Sequence, residues 1–317
     1  MARIHELRMI SRIAQMYYSE GLTQSKIGDQ LHLSQTTVSR LLKKAVKEEI
    51  VRTTVIPPAG TYSALEDVLR RKFELTEVVI AECTEDRDGA IMTRIGEAAA
   101  HFIENTMQSN EIIGISSWSE TILKMVDSFH PTKVAHAKYV VQILGGMGNP
   151  SVQTHATQLT SRLAKLTGAE TQLLTTPGVA QSREARVVLL SDTYVRATTD
   201  RFDDVSLAVV GIGSTEPSNL LSRSGNIFSN HELCEVAEKG GIGDICLRFF
   251  DESGQLVKTP IDERVIGMDL DQLRRVNRVI ALAGGQLKTK AIYGALNTGV
   301  IDILVTDKFT ARRLIEI

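Results

Sequence analysis

The chain contains 317 residues, 43% of them apolar and 23% charged, with a formal net charge of −2, a composition typical of a globular protein with one large or two ordinary domains. Its three cysteines, Cys83, Cys234 and Cys246, are widely spaced without a CxxC pair, so neither a disulfide framework nor a zinc site is indicated and a reducing cytoplasm is expected. The charged N-terminus is unlike a signal peptide, and no apolar run approaches the roughly 18 residues that cross a bilayer, so no membrane partner is expected.

The charge is unevenly divided along the chain. Residues 1–52 contain nine Lys and Arg against five Asp and Glu, a net of +4, whereas the remainder carries twenty-seven against thirty-three, a net of −6. A basic head on an acidic body indicates a polyanionic partner for the head. Ordinary variation in surface charge explains such an excess equally well.

The first helix is predicted from apolar residues that recur at three- and four-residue steps and end near Gly21. Its expected buried stripe consists of Ile4, Leu7, Ile10, Ala14 and Tyr17.

The segment "LTQSKIGDQLHLSQTTVSRLLKKA" predicts two shorter helices joined by a tight turn. Thr23 is the expected N-cap of the first, which buries Ile27 and Leu31, and Ser34 is the expected N-cap of the second. The second helix has apolar residues at i, i+3, i+4 and i+7, which leaves a polar, basic and hydroxyl-rich face outside. This arrangement predicts a helix-turn-helix whose second helix enters the major groove of double-stranded DNA. A solvated charged helix in a small bundle is the alternative.

The candidate DNA contacts fall into base readers and phosphate binders. Gln35, Thr36 and Arg40 are the predicted base readers, because Gln suits adenine, Arg suits guanine and a Thr methyl suits thymine. The other predicted DNA-binding residues, placed for phosphates or on the same outer face, are Gln24, Thr37, Ser39, Lys43 and Lys44.

A linker follows, marked by Pro57, Pro58 and Gly60. We therefore predict a DNA-binding domain over 1–56, a linker over 57–61 and a second domain over 62–317. After a helix at about 62–73, short β-branched runs alternate with amphipathic segments, which predicts an α/β domain with a doubly wound, largely parallel sheet covered by helices on both faces. The expected strands are "EVVIAE", "IIGISS", "KYVVQILGG", "TQLLTT", "LAVVGIG", "RVIALAGG" and "IDILVTD".

Several of these strands run into helices through glycine-containing or hydroxyl-rich loops, namely "GISSWSET", "GGMGN", "GIGS" and "AGGQLK". Ligands of open α/β sheets gather at such loops, although each one is also ordinary turn chemistry. Lys288, in a first helical turn, opposes the helix dipole, so it either meets an anion or is simply solvated. None of the loops matches a Walker A motif or a complete GxGxxG, so nucleotide binding is disfavoured and no cofactor or metal is expected. Asp251, in "FFDESG", is expected in a structural turn.

Taken in order, these motifs resemble the SorC/DeoR-type sugar-responsive transcriptional regulators of bacteria over nearly the full length. The resemblance rests on the helix-turn-helix segment followed by "QILGGMG", "AVVGIG", "SGNIFSNHE", "GGIGDICLRFFDESG", "RVIGMDLDQL" and "AGGQLKTKAIYGALNTGVIDILVTDKFTARRLI". It implies a winged-type helix-turn-helix head and a Rossmann-like effector domain similar to sugar-phosphate isomerases and deaminases. It also implies a homotetramer, built as a dimer of dimers, that binds operator DNA and a small sugar, polyol or sugar-phosphate effector.

The resemblance also assigns an effector site. The implied residues are Ser117, Ser119, Glu120 and Thr121 in the phosphate loop, Gly145, Gly146, Asp244 for sugar hydroxyls, Lys288 for phosphate or a sugar oxygen, and Arg223 as a looser phosphate partner. The chain departs from its relatives at Ser119, where they commonly carry glycine, and Glu120 would repel a dianion. A neutral polyol or an unphosphorylated sugar therefore stays open as the effector.

The sequence thus predicts a non-enzymatic regulator of a carbohydrate or polyol catabolic operon, whose operator affinity is modulated by a small phosphorylated sugar or polyol. The alternative is a sugar-phosphate isomerase or deaminase with a nucleic-acid-binding appendage, for which Asp244, His155 and His231 are the candidate bases. A pure interaction module is a third reading. The sugar, the operator and the sign of regulation do not follow from the sequence.

Overall fold

A computed structural model describes residues 2–51, 61–132, 135–148, 150–215 and 228–317, without the side chains of residues 2 and 150–156. The chain divides into two compact units, Met1–Pro58 and Ala59–Ile317. Most of the expected linker lies outside the described residues, and so do residues 52–56 of the expected DNA-binding domain. The domain limits 1–56 and 62–317 stay a prediction.

The first unit, over the described residues 2–51, consists of the helices α1 (Ala2–Tyr18), α2 (Gln24–Leu31) and α3 (Gln35–Lys47). The Thr23 side chain caps α2 by accepting from the Lys26 N–H, and the Ser34 side chain caps α3 by accepting from the Thr37 N–H. Between the two helices His32 adopts the left-handed conformation, with φ of 54°. The predicted caps, turn and helices of the helix-turn-helix are confirmed.

The core of this unit corrects the predicted stripe of α1. Ile4 and Tyr17 are exposed, at 59% and 37%, whereas Ile13 and Met16 are buried. Steps of three and four residues are satisfied by two neighbouring stripes on one helix, and packing against α2 and α3 selects one of them. The core comprises Ile10, Ile13, Ala14, Met16, Ile27, Val38, Leu42 and Ala45.

The second unit is an α/β domain. Its described strands are β1 (Glu77–Ala81), β2 (Ile112–Ile115), β3 (Tyr139–Gln142), β4 (Glu170–Gln172), β5 (Leu207–Gly211), β6 (Gly213–Ser214), β7 (Gly243–Ile245), β8 (Arg248–Phe250), β9 (Arg278–Leu282) and β10 (Ile303–Asp307). Its described helices are α4 (Ser63–Lys72), α5 (Asp88–Thr106), α6 (Glu120–Ser128), α7 (Pro150–Thr167), α8 (Arg183–Ser191), α9 (Thr193–Thr199), α10 (Asn230–Glu238), α11 (Leu270–Arg274), α12 (Thr289–Asn297) and α13 (Lys308–Glu316). Short 3-10 turns cover Asp200–Asp204, Pro260–Glu263 and Gln286–Lys288.

Seven strands form one parallel sheet in the order β1-β10-β9-β5-β2-β3-β4. Each of the seven predicted β-branched runs supplies one of its strands, which confirms the predicted sheet. Both faces are covered: along β5, Ala208 and Val210 belong to one core cluster and Leu207 and Val209 to another. All four are fully buried, which explains why the strand reads as a continuous apolar run.

The strand order places a switch point between β2 and β5. From β2 the chain continues to β3 and β4 on one side, and from β5 it continues to β9 and β10 on the other. The loops that leave these two neighbouring strands therefore diverge and open a crevice at their carboxyl ends, where ligands of doubly wound sheets bind.

A second, antiparallel sheet of β6, β7 and β8 was not among the predicted elements. Strands of two or three residues are too short to show a period of two in the sequence. After β8, one Asp251 carboxylate oxygen accepts hydrogen bonds from the Ser253 and Gln255 N–H groups, at 3.0 and 2.9 Å, which confirms the predicted structural turn. Within the described part of the chain, no helix is long and apolar enough to cross a membrane.

Candidate functional site

The outer face of α3 is the first of two candidate sites. Gln35, Thr36, Arg40 and Lys43 are exposed. The remaining predicted contacts, which are half-buried, are Gln24, Thr37, Ser39 and Lys44. A polar face of this kind is what a recognition helix presents to base edges and phosphates.

The hydroxyl groups at the start of α3 serve the helix itself. Ser34 Oγ lies 2.9 Å from Thr36 Oγ1 and 2.8 Å from Thr37 Oγ1, and it accepts from the Thr37 N–H at 3.2 Å. This network fixes the first turn of α3, from which the exposed side chain of Gln35 projects, and Arg40 follows in the second turn. Because the Thr36 hydroxyl is engaged with Ser34, the methyl group of Thr36 is the part of the side chain that suits the predicted contact with a thymine methyl.

The two adjacent lysines of α3 differ in their surroundings. Lys44 donates to the carboxylate of Glu6 on α1, and this hydrogen bond lowers the pKa of Glu6. Lys43 is exposed and makes no hydrogen bond or ion pair with any described residue. Lys43 is therefore the better placed of the two for a phosphate, since Lys44 also joins two helices.

The second candidate site is a cavity of about 630 Å³ at the switch point between β2 and β5. Its wall combines the loop after β2, the loop after β5, the β7–β8 hairpin and the start of α12. The residues that carry its chemistry are Asp88, Ser116, Ser119, Glu120, Thr121, Asp244, Cys246, Lys288 and Lys290. The structure thus brings together five of the predicted effector residues, namely Ser119, Glu120, Thr121, Asp244 and Lys288.

The N-terminus of α6 forms one wall of the cavity. Ser119 is its N-cap, with Oγ accepting from the Ile122 N–H at 3.3 Å, and Glu120 is its first residue. A Cβ on Gly211 would approach Ser119 Oγ to 2.8 Å, so the glycine at the end of β5 lets the two loops meet. The Glu120 and Thr121 N–H groups, which bond to no described residue, lie at the positive end of α6, where an anion or a hydroxyl oxygen is stabilised.

Ser117, Gly145 and Gly146 are placed away from the cavity wall. The Ser117 hydroxyl donates to the Leu144 carbonyl at 2.9 Å, and the Trp118 indole N–H donates to the Gly145 carbonyl at 2.9 Å. A Cβ on Gly145 would lie 2.3 Å from the Pro177 carbonyl oxygen, and Gly146 bridges to the same proline. Glycine is therefore required at position 145 because the backbone at Pro177 lies so close, and not because a ligand approaches there.

Asp244, on β7, is 8% exposed and lines the cavity. Its Oδ2 accepts from the Leu247 N–H at 2.9 Å. Burial raises the pKa of the Asp244 carboxyl to about 6, although the Leu247 N–H and the Lys288 charge both lower it. A buried carboxylate with unused acceptor capacity is suited to bind ligand hydroxyl groups.

The turn beside Asp244 is strained. Cys246 and Leu247 link β7 to β8 with φ of 52° and 62°, as in a type I′ turn, which ordinarily carries Asn or Gly. Both side chains are buried, so their packing holds the conformation that brings the Leu247 N–H to Asp244. Burial also raises the pKa of the Cys246 thiol to about 12, which keeps the thiol protonated.

Lys288 enters the cavity from the turn that precedes α12. Its ammonium donates to the Ile212 carbonyl, in the loop after β5, at 3.0 Å. Burial lowers the pKa of Lys288, and the charges of Asp244, Glu120 and Asp88 oppose that change. The predicted cation therefore lies among three carboxylates.

Two residues singled out in the sequence cannot be placed: Arg223 lies outside the described residues, and so does the side chain of His155. The cavity also has wall residues that sequence reasoning missed. Gly213 belongs to the quoted loop "GIGS", whereas Asp88, the first residue of α5, carries no sequence signal. No group of His, Cys, Asp or Glu among the described residues is arranged to hold a metal ion.

Comparison with known families finds two matches. Residues 58–316 match the family described as "Putative sugar-binding domain", and residues 11–48 match the family described as "Sigma-70, region 4". The first match covers nearly all of the second compact unit, and the second covers the C-terminal part of α1 together with the whole of α2 and α3.

Relatives of known name align over almost the whole chain. The deoxyribonucleoside regulator of Bacillus subtilis is 30% identical, with 96% of both chains covered. The sorbitol operon regulator of Klebsiella pneumoniae is 29% identical over 100% of both chains, and the erythritol catabolism regulatory protein EryD of Brucella abortus is 30% identical, with 96% of this chain and 95% of EryD covered. The crystal structure of the full-length sorbitol operon regulator SorC from Klebsiella pneumoniae superposes with a TM-score of 0.73, covering 98% of both chains at 29% identity.

Proposed function

The chain belongs to the SorC/DeoR-type family of sugar-binding transcriptional regulators, and on that premise we propose that a carbohydrate held in the cavity between β2 and β5 sets the affinity of α3 for operator DNA. It is a sugar-responsive DNA-binding regulator and not an enzyme, as its named relatives are regulators. The observation that carries the proposal is the joint placement of Asp244 and Lys288 in one cavity at the switch point of the sheet.

The effector that we propose is a small phosphorylated sugar or polyol. Asp244 accepts hydrogen bonds from its hydroxyl groups, and Lys288 together with the N–H groups at the start of α6 binds its phosphate. Two independent supports favour the phosphate position: a helix N-terminus, and a lysine that opposes the dipole of α12. A phosphate dianion also supplies Lys288 with a counter-charge that offsets the cost of its burial.

An unphosphorylated polyol is the second candidate, and the charges of the cavity wall favour it. Among the described wall residues, Asp88, Glu120 and Asp244 are acidic and only Lys288 and Lys290 are basic. Glu120, as the first residue of α6, already places a carboxylate at the positive end of that helix. The names of the sorbitol and erythritol relatives make these two polyols the natural first compounds to test.

For effector binding to change operator affinity, the effector must bind one conformation or assembly of the regulator more tightly than another. We propose that the chain acts as a homotetramer, a dimer of dimers. Two copies of the helix-turn-helix read paired half-sites about one helical turn apart, and the family resemblance implies that two such dimers associate. Its site of action is the bacterial cytoplasm, where the operator lies.

The experiment that tests the proposal is a thermal-shift panel on the purified full chain, using matched pairs of sorbitol, erythritol and deoxyribose with their phosphate esters. A ligand at about 100 times its Kd stabilises the fold by roughly 2.7 kcal/mol, which a melting scan detects. Each hit is then titrated into a binding assay with operator DNA. A carbohydrate that raises Tm and changes operator affinity supports the proposal, whereas a panel without any response overturns it.

The variants Glu120→Gln and Lys288→Gln separate the two effector classes. If the phosphate ester is the effector, Lys288→Gln abolishes its thermal shift and Glu120→Gln enlarges it, because one change removes an attractive charge and the other a repulsive one. If only the parent polyol binds, Glu120→Gln weakens that binding, and the phosphate assignment is overturned while the regulator proposal stands.

A further inference from the structure

Asp88 lies in the wall of the cavity without a partner among the described residues. It is the first residue of α5 and the only acidic residue in the first turn of that helix. Its side chain is exposed, and it makes no hydrogen bond or ion pair with any described residue. An acid at the start of a helix is ordinary, because it complements the helix dipole. The surroundings of Asp88 in the cavity indicate a use beyond that.

The turn that follows β9 passes directly beside the Asp88 carboxylate. A Cβ on Gly285 would lie 2.6 Å from Asp88 Oδ1, so a side chain at position 285 would occupy the space of that oxygen. The turn is held in place, because the Gly285 N–H donates to Thr310 Oγ1 at 2.8 Å and to Asp307 Oδ2 at 3.3 Å. The N–H group nearest to the carboxylate thus already has its acceptors, and the oxygens of Asp88 keep their full capacity to accept hydrogen bonds.

Lys288 ends the same turn and supplies the positive charge near Asp88. Burial lowers the pKa of Lys288, and the Asp88 carboxylate is close enough to oppose that change, as are those of Asp244 and Glu120. None of these three carboxylates forms an ion pair with Lys288. Asp88 and Lys288 therefore act on one part of the cavity without neutralising each other by direct contact.

We propose that Asp88 is a second hydroxyl acceptor of the effector site, besides Asp244. Its carboxylate accepts hydrogen bonds from hydroxyl groups of the carbohydrate at the start of α5, beside the turn that carries Lys288. The inference rests on the proposed function in one respect, that a carbohydrate occupies the cavity.

The charges around Asp88 select neutral hydroxyl groups as its ligand. A ligand phosphate beside Asp88 is repelled by the carboxylate, and a ligand ammonium is repelled by Lys288. A hydroxyl group meets neither penalty and forms a charge-assisted hydrogen bond with the carboxylate. The phosphate of a phosphorylated effector then lies away from Asp88, at the start of α6. The inference therefore applies to a phosphorylated sugar and to a free polyol alike.

The test is the Kd of the full chain for matched pairs of sorbitol, erythritol and deoxyribose with their phosphate esters, measured by titration calorimetry. We expect Asp88→Ala to raise Kd about ten-fold for each compound that the wild type binds, which is typical of a lost hydrogen bond to a charged group. Asp88→Asn should raise Kd by a smaller factor, because an amide oxygen is the weaker acceptor. Trp118, the only tryptophan of the sequence, lies in the cavity wall, so its fluorescence provides a second titration at the same site.

Glu184→Ala is the matched control. Glu184 is an exposed acid in the first turn of α8 and lies outside the cavity wall. Its removal takes the same charge from the start of a helix, and it should leave every Kd unchanged. Thermal unfolding without ligand verifies that each variant is folded.

The parent compounds distinguish a hydroxyl contact from an effect of charge alone. If Asp88 acts only through its charge, Asp88→Ala tightens the binding of the esters and leaves that of the parent compounds unchanged, which overturns the inference. If the wild type binds esters only, an unchanged or lower Kd in Asp88→Ala overturns it. A wild type that binds no compound of the panel overturns the proposed function and this inference with it, whereas wild-type affinity retained in both Asp88 variants overturns this inference alone.

Discussion

The carboxylate of Asp244 fills the space that a side chain at position 213 would need. A Cβ on Gly213 would approach Asp244 Oδ1 to 2.0 Å, and the two residues are paired across β6 and β7. Because Oδ2 is held by the Leu247 N–H, the carboxylate is fixed from two directions. The small antiparallel sheet therefore positions the main acceptor of the cavity.

Gly213→Ala should displace that carboxylate. The added methyl group would overlap the buried Asp244 carboxylate, and we expect a loss of about 1–3 kcal/mol in the free energy of unfolding together with a weaker effector response. Calorimetric unfolding measures the first effect, and the thermal shift with effector measures the second. Gly89→Ala is the matched control, because a Cβ there meets nothing within 4 Å. Equal stability of the two variants would contradict the prediction, because it would show that the Asp244 carboxylate can move aside without destabilising the fold.

The burial of Asp244 should make the free energy of unfolding decrease as the pH rises from about 4 to about 6. Its pKa in the folded chain is about 6, above the ordinary value of 3.8, so the folded state binds more protons than the unfolded state in this window. Stability from this group is greatest below the unfolded pKa and is lost as the pH rises through the folded pKa, by on the order of 2–3 kcal/mol.

The control for this pH dependence is Asp244→Asn, which removes the titration and keeps the size of the side chain. Urea unfolding of both proteins from pH 4 to pH 7 isolates the contribution of Asp244 from those of other carboxyl groups. Parallel curves for the wild type and the variant would contradict the assignment.

Ser34→Ala should loosen the start of the recognition helix. The change removes the cap of α3 and the hydrogen bonds to both threonine hydroxyls, at a cost of about 1 kcal/mol. Hydrogen exchange of the α3 amides should accelerate roughly five-fold, since 1 kcal/mol corresponds to that factor. Ser25→Ala, inside α2 and exposed, should leave exchange in α3 unchanged.

Lys43→Ala and Lys44→Ala should behave differently in operator binding. Loss of the exposed Lys43 should weaken binding to all sequences and reduce the slope of log K against log salt by about one. Loss of Lys44 should instead lower the stability of the first unit, because it removes the contact with Glu6. Salt titrations of DNA binding, paired with thermal unfolding, measure both effects. Identical salt slopes for the two variants would refute the distinction.

Arg40→Ala should act on specificity. A bidentate contact with one guanine predicts a loss of about 1–3 kcal/mol on the operator and little change on random DNA. Competition binding with operators substituted one position at a time identifies the base concerned. An equal loss on operator and random DNA would make Arg40 a phosphate contact.

Much of the fold follows from local patterns. The caps Thr23 and Ser34, the turn at His32 and the seven parallel strands were all expected, because capping chemistry and near-continuous apolar runs depend on residues close in the sequence. The buried stripe of α1 was predicted incorrectly. Ile4 and Ile13 fit the same helical periodicity, and only packing against the other helices determines that Ile13 is buried and Ile4 exposed.

The candidate site was predictable only in part, because its geometry depends on contacts between residues that are far apart in the sequence. Glycine at position 145 and glycine at position 213 look alike in the sequence, yet one faces the Pro177 backbone and the other the Asp244 carboxylate. Asp88 lies in the cavity wall because of how α5 packs on the sheet, and the residues near it in the sequence do not predict that packing.

The sequence by itself determined the helix-turn-helix, the alternation of strands and helices, and the loops in which ligand-binding residues lie. The tertiary structure alone decided which of those loops meet. Strand order results from contacts between segments far apart in the chain, and it brings the loops after β2 and β5 to one crevice. Burial in that crevice, which no local pattern specifies, raises the pKa of Asp244 and lowers that of Lys288.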